Sequence, residues 1–323
     1  MTISRNKLCI VIGRMFMISF EQVSKRYGAL YAVKDISFSV PRGQILGLLG
    51  QNGAGKTTLM NIMTGCLAPS GGRVVIGGHD LLLEPREARR LIGYLPENAP
   101  LYDEMTVEAF LKFACELKEV VPSEIPKHIE QIAQKTGLTD MLKRRVGNLS
   151  KGYRQRVGLA QALCGSPEII VLDEPAAGLD PRQNAEFRSL IMSLKNEHTV
   201  LLSSHILSEV QAVCDRVIIL KRGVLLFDSD MSDLKPDQIV LRASIAMGEG
   251  RLLPALRQLA SVTQVKVVRG GEEGITTVLL TAPRGAPVER ELFTLLCGLQ
   301  APLLRLTPVE DSLEEIFLRA TQD

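Results

Sequence analysis

The strongest constraint on this chain is a junction between an apolar run and a glycine loop. Gln44 to Leu49 is almost continuously apolar, ends in Gly50-Gln51-Asn52-Gly53-Ala54-Gly55-Lys56-Thr57, and passes at once into a helical stretch, Lys56 to Thr64. A strand buried on both faces, a glycine-rich loop and a helix in direct succession form one unit of a parallel α/β sheet. The octet also matches G-x-x-x-x-G-K-S/T in the context that pattern requires. Glycines let backbone N–H groups turn inward around phosphates, and the helix N-terminus adds positive potential. Lys56 then reaches the β and γ phosphates, the Thr57 hydroxyl ligates Mg²⁺, and Gly50, Asn52, Gly53, Ala54, Gly55 and Thr58 complete the cradle.

The rest of the chain repeats this grammar. Ile92 to Leu95, Ile169 to Leu172, Val200 to Ser203 and Val217 to Leu220 are further apolar runs, separated by stretches of helical period such as Val107 to Leu117 and Arg154 to Leu163. Alternating strands and helices predict a mostly parallel α/β sheet. Ile18 to Val23 and Ala32 to Val40, closed by Pro41-Arg42-Gly43, predict an antiparallel edge. Residues 1–16 read either as an N-terminal extension or as an upstream start, because the clean strand pattern begins at Met17. Leu8 to Phe20 is too short for a membrane span and carries Arg14.

Ser229 to Asp237 turns polar and includes a proline, which predicts a linker between a nucleotide-binding domain at 17–230 and a small domain at 237–323. The second part reads strand (Ile239 to Ser244), helix (Arg251 to Leu259), strand (Val262 to Arg269), hairpin, strand (Ile275 to Thr281), helix (Val288 to Leu299), strand (Leu303 to Leu306) and a last helix (Ser312 to Ala320). That is a ferredoxin-like βαββαβ order with an added helix, although Pro254 falls inside the first helix.

Charge excludes one class of partner. The chain has 323 residues, with 38 Lys and Arg against 36 Asp and Glu, a balance of +2 that builds no field for drawing in DNA or RNA. Cys9, Cys66, Cys115, Cys164, Cys214 and Cys297 are spaced without any CxxC pair, which predicts reduced, mostly buried thiols.

A second chemical signal is Ile169-Ile170-Val171-Leu172-Asp173-Glu174, an apolar strand with two carboxylates at its C-terminal end, where ligands bind in open α/β sheets. Asp173 is placed to hold Mg²⁺, and Glu174, directed differently because side chains alternate along a strand, to polarise the attacking water. Leu149-Ser150-Lys151-Gly152-Tyr153 opens a helix with Ser150 at its N-cap.

With the octet at 50–57, these motifs occur in the order found in ATP-binding cassette subunits of transporters, and the chain resembles that family over residues 18–228. Leu149 to Tyr153 fall in its signature, Ala177-Gly178-Leu179-Asp180 in its D-loop, and Ser203-Ser204-His205 at its switch histidine. The resemblance implies an ATPase fold in which a mixed sheet carries an antiparallel β subdomain and a helical subdomain. It implies ATP and Mg²⁺ as cofactors, Tyr27 stacked on adenine, and His205 sensing the γ-phosphate. Two cassettes would pair head to tail, so that Ser150 and Gly152 contact the γ-phosphate in trans and Asp180 links the two sites. Two departures stand out. Lys151 and Tyr153 replace a glycine and a glutamine of the usual signature. Glu97, in Tyr94-Leu95-Pro96-Glu97, stands where a metal-contacting glutamine is usual and adds charge near the metal.

Residues 98–117 fall in the helical subdomain, where a permease's cytoplasmic helix would dock and where Tyr102 and Met105 are contacts or core residues. The tail Ser312-Leu313-Glu314-Glu315-Ile316-Phe317 and the domain before it are similar to ATPases of bacterial export-type systems, including multidrug, polysaccharide and gliding-related groups. The implied partner is a separate multi-spanning permease, and the implied location the cytoplasmic face of the cell membrane. A soluble cassette ATPase acting on ribosomes or DNA is the alternative. Such proteins resemble tandem cassettes or carry a long coiled coil, whereas this chain has one cassette and 94 residues between Lys56 and Ser150. A phosphate-loop kinase would need neither the signature nor the histidine.

Overall fold

The computed structural model describes residues 16–234, 238–268 and 274–309. The chain divides between Met231 and Ser232 into two compact units. In the first, the strands in chain order are β1 (Ile18–Tyr27), β2 (Leu30–Val40), β3 (Ile45–Leu49), β4 (Gly71–Ile76), β5 (His79–Asp80), β6 (Ile92–Leu95), β7 (Ile169–Asp173), β8 (Thr199–Ser204), β9 (Arg216–Lys221) and β10 (Val224–Asp230). Its helices are α1 (Lys56–Met63), α2 (Pro85–Arg90), α3 (Val107–Leu117), α4 (Ile125–Thr136), α5 (Lys151–Leu163), α6 (Pro181–Leu194) and α7 (Leu207–Val213).

The main sheet runs β10-β9-β3-β8-β7-β6, with every neighbouring pair parallel except β10 and β9. Each residue of β3, β7 and β8 is buried, as their unbroken apolar runs require of strands covered on both faces. β1 and β2 do not extend this sheet as an edge. They pair with β4 and β5 in a separate antiparallel sheet ordered β2-β1-β4-β5. The reason lies in their pattern: β2 buries one face and exposes the other, which suits a strand covered on a single side. Phe20 and Phe38 stack at 4.6 Å between ring centroids, and Phe38, Leu48 and Val171 belong to one apolar core shared by the two sheets.

Three helices fill the connection from β6 to β7. Thr106 caps α3 by accepting a hydrogen bond from the Ala109 N–H at 3.2 Å, and Gly137, at φ +68°, ends α4 in the left-handed conformation that glycine adopts freely. The polar stretch from Ser229 is not all linker, since Ser229 and Asp230 pair with Val217 and Arg216 as the end of β10. Cys115, Cys164 and Cys214 are buried and Cys66 and Cys297 exposed, all as free thiols, while Cys9 lies outside the described residues.

The second unit contains β11 (Gln238–Ile245), α8 (Glu249–Leu256), β12 (Gln264–Val268), β13 (Thr276–Pro283), α9 (Val288–Leu299) and β14 (Leu303–Val309). Its sheet is ordered β12-β13-β11-β14 with every pair antiparallel, the ferredoxin-like arrangement of a βαββαβ chain. Val288, Leu292 and Leu296, spaced by four along α9, bury against Leu241, Ala243, Val278 and Leu280 of the sheet. The expected last helix, Ser312 to Ala320, lies outside the described residues.

Candidate functional site

The glycine loop owes its shape to two close approaches. Gly55 precedes α1 at φ +106°, and a β carbon there would lie 2.6 Å from the Ala32 carbonyl oxygen of β2. A β carbon on Gly50 would lie 2.6 Å from the Leu220 carbonyl oxygen of β9. The loop is therefore pressed between both sheets, and only glycine fits at these points. The turn after β9 locks it from a third side, because the Gly223 N–H donates to the Ala54 carbonyl at 2.9 Å and the Lys34 N–H to the Gly223 carbonyl at 2.8 Å.

Lys56, 6% exposed, donates from Nζ to the Gly50 carbonyl at 2.6 Å and lies 3.3 Å from Glu174 Oε1. The other oxygen of that carboxylate, Oε2, is 2.8 Å from His205 Nδ1. Glu174 thus bridges the lysine at the head of α1 and the histidine just past β8. It does so from a left-handed backbone, φ +47°, which a non-glycine residue rarely adopts and which re-aims its side chain away from Asp173. Asp173 is 1% exposed, and its Oδ1 accepts the Ser203 hydroxyl at 2.5 Å. Burial, reinforced by the charge of Asp173, pushes the Tyr94 phenol well above its ordinary range, so the ring beside the carboxylates stays neutral.

Lys56, Glu174 and His205 open onto a cleft of about 580 Å³, while Asp173 and Tyr94 lie behind its lining. The loop supplies Asn52, Gly53, Gly55, Lys56, Thr57 and Thr58 to its floor, while Glu97, Glu174 and His205 stand at its sides. Gly50 and Ala54 shape the loop from behind, with Ala54 only 5% exposed. Tyr27 does not line the cleft. The tyrosine that does is Tyr31, on the other arm of the β1–β2 turn, with the Arg26 and Lys34 cations 5.9 and 5.8 Å from its ring centre. Gln51 of the octet and Ala177 of the D-loop also line it, as do Leu30, Ala32 and Arg222, which sequence reasoning missed. The sequence does carry a signal for Arg222 in Lys221-Arg222-Gly223-Val224, a tight-turn pattern between two apolar runs.

Ser150, Gly152 and Asp180 are brought together elsewhere, on a second cavity of about 520 Å³. Ser150 takes the N-cap position of α5, but its side chain makes no capping hydrogen bond, contrary to expectation. Asp180 does cap, accepting the Gln183 N–H of α6 at 2.8 Å. The Lys151 ammonium packs on Gly178, where a β carbon would come within 2.0 Å of Nζ. The Gln183 side chain covers Gly152 in the same way, at 2.7 Å from a β carbon there. The signature thus packs against the D-loop, which runs from the cleft, lined by Ala177, to the second cavity, lined by Leu179 and Asp180.

Among the described residues no three His, Cys, Asp or Glu side chains converge on a common point. The oxygen donors around the loop, Thr57, Glu97 and Asp173, match the ligand preference of Mg²⁺. They fit a cation that takes its other ligands from nucleotide phosphates.

Comparison with known proteins agrees with this geometry. Residues 33–177 match the family model described as ABC transporter. The chain is 39% identical over 224 residues to the ABC transporter ATP-binding protein NatA of Bacillus subtilis, covering 68% of this chain and 91% of that one. It is 29% identical over 309 residues to the linearmycin resistance ATP-binding protein LnrL of the same organism, covering 94% and 98%. Among solved structures, cbiO1 from Clostridium perfringens, part of the transporter complex cbiONQ, superposes with a TM-score of 0.63 at 26% identity, over 68% of this chain and 90% of that one. A dimeric bacterial ABC transporter cassette superposes at 0.61 and 25% identity, over 67% and 99%.

Proposed function

The chain belongs to the ABC transporter family, and on that premise we propose that it is the ATP-hydrolysing subunit of an exporter whose membrane-spanning permease is a separate chain. The observation that carries the reading is the Glu174 carboxylate, held between Lys56 and His205 at the rim of a cleft floored by the glycine loop. ATP phosphates enter the ring of loop N–H groups and draw Lys56 away from Glu174. Glu174 is then the base for the attacking water, with His205 holding that water and the γ-phosphate in line. Thr57, Asp173 and Glu97 would hold Mg²⁺, which would neutralise the phosphate charge. Adenine stacks on the β1–β2 turn, where Tyr27 and Tyr31 stand on opposite arms.

The separation of Ser150, Gly152 and Asp180 from the cleft supports a head-to-tail pair of cassettes, in which each signature serves the other chain's γ-phosphate. Closure of that pair drives the permease and hydrolysis resets it. No helix among the described residues is long and apolar enough to cross a membrane. Tyr102, 55% exposed and edge-on to Phe110 and Phe113, is the proposed permease contact in the helical region. The subunit then works at the cytoplasmic face of the membrane, with a cassette at 17–230, an accessory domain at 237–323 and no nucleic-acid partner. The resistance named for LnrL favours export.

Tagged Glu174→Gln protein, held in ATP and recovered from native membranes, tests the reading by mass spectrometry of the chains that come with it. A stoichiometric multi-spanning protein is expected. Ribosomal or DNA-bound material without a permease overturns the transport role and leaves only the ATPase chemistry.

A further inference from the structure

Two adjacent serines end β8, and their hydroxyls face different work. Ser204 donates to Glu209 Oε2 at 2.7 Å and accepts the Ile206 N–H at 3.0 Å, which ties the start of α7 to the strand. Ser203 turns the other way. Its register partner across the parallel pair is Asp173, its hydroxyl donates to Asp173 Oδ1 at 2.5 Å, and the same oxygen accepts the Glu174 N–H at 2.9 Å. The residue is fully buried.

The polarity of this bridge is fixed. An amide N–H only donates, so a lone pair of the hydroxyl is committed to Glu174, and its single proton is left for the Asp173 carboxylate. One atom therefore sets two things at once. It selects which oxygen of Asp173 is taken up inside the protein, leaving the other for the metal. It also holds the amide of Glu174, left-handed at φ +47°, whose conformation decides where the base points. Two residues further on, His205 meets the same glutamate from its other end at 2.8 Å.

We propose that Ser203 is a positioning residue for the hydrolysis ascribed to this site. It orients Asp173 toward the divalent cation and fixes the backbone of Glu174, without touching nucleotide itself. This inference rests on the ATPase reading, and it assigns to Ser203 an effect on metal affinity and turnover that Ser204, its equally buried neighbour, lacks.

The test compares wild type, Ser203→Ala, Ser203→Cys and Ser204→Ala in the full chain. Mn²⁺ affinity in the presence of ATP is read from the free-ion paramagnetic resonance signal, ATP affinity in EDTA from a fluorescent analogue, and kcat and KM from phosphate release. Loss of the Ser203 hydroxyl is expected to weaken Mn²⁺ binding and lower kcat by about tenfold or more each, with metal-free ATP affinity unchanged. Ser204→Ala is expected to match wild type in all three. Cysteine nearly keeps the serine volume, so Ser203→Cys carries the test if the alanine variant does not fold. A folded Ser203 variant that binds Mn²⁺ as tightly as wild type overturns the inference, as does an equal loss in Ser204→Ala. A wild type that binds Mn²⁺ with ATP but releases no phosphate overturns the ATPase reading instead, and the Mn²⁺ comparison still decides the role of Ser203.

Discussion

The two compact units are built from the same parts, apolar strands under amphipathic helices, yet they differ in what they bury. The first encloses Lys56, Asp173, His198, Ser203 and Ser204, whereas Thr276 is the one polar residue buried in the second among the described residues. The Thr276 hydroxyl is satisfied locally, donating to the Met247 carbonyl at 2.6 Å. Burying ionisable groups opposes folding unless each is paired, so a unit that keeps several of them does so at a place where charge has a task. The second unit carries no comparable group among its described residues, and its interior is explained by packing alone.

Removing one carboxylate from each unit should break the comparison most sharply if it is wrong. Glu174→Gln is expected to lower phosphate release by at least about a hundredfold, the scale of a lost general base, with ATP binding retained. Glu291→Gln removes a carboxylate that accepts from the Ser261 N–H and hydroxyl in the second unit, and it should leave the turnover rate unchanged. A large loss of turnover in Glu291→Gln shows that chemistry is not confined to the first unit.

Next in size are core truncations. Leu280→Ala, at a fully buried sheet position of the second unit, should destabilise it by roughly 2–5 kcal/mol. In scanning calorimetry this should shift one unfolding transition and spare the other, with KM for ATP unmoved. A smaller change is expected from Gly178→Ala, where φ is +71° and the Lys151 ammonium occupies the space of the new methyl group. Strain of about 1–3 kcal/mol should appear as lower stability of the first unit only, read by urea unfolding.

The smallest effect is that of acid. All four histidines lie in the first unit. Burial lowers the pKa of His198, whose Nδ1 is 2.7 Å from the Pro167 carbonyl, and also that of His128, whose Nε2 accepts the Gly165 N–H. With folded pKa values below the unfolded one, the unfolded chain binds more protons as pH falls through about 6.5. Stability is therefore present above that value and declines below it. Thermal melts from pH 7 to pH 5 should show the first unit's transition falling by more than in a His198→Asn variant, which keeps a donor but does not titrate. The second unit has no histidine to move with it.

Much of this architecture is legible in the order of the residues. The glycine loop, the apolar strand ending in Asp173 and Glu174, and the helices Val107–Leu117 and Val288–Leu299 are runs of adjacent residues whose period or spacing states their shape. The features that escape such reading share a cause. β4 opens on two glycines and β5 has only two residues, so neither declares itself as a strand, Tyr31 lines the cleft where the resemblance implied Tyr27 four residues earlier, and Arg222 reaches the cleft through the turn after β9. None of these has a local signature of function: β5 pairs with its neighbour β4, Tyr31 with Arg26 across the β1–β2 turn, and Arg222 sits in the β9–β10 turn, so each reaches its place through the sheet that carries it.

The amino-acid sequence alone determined the phosphate loop, the βαββαβ order of the second unit and the pair of carboxylates, since all rest on side-chain period and on glycine conformations set within a few residues. Tertiary structure alone decided that β1 and β2 form a sheet with β4 and β5, that the signature packs against the D-loop, and that Ser203 joins Asp173 to Glu174. The first and last depend on which strands pair, antiparallel in one sheet and parallel across long crossovers in the other. Such pairings are chosen by burial of the whole sheet, so no short window of residues contains them.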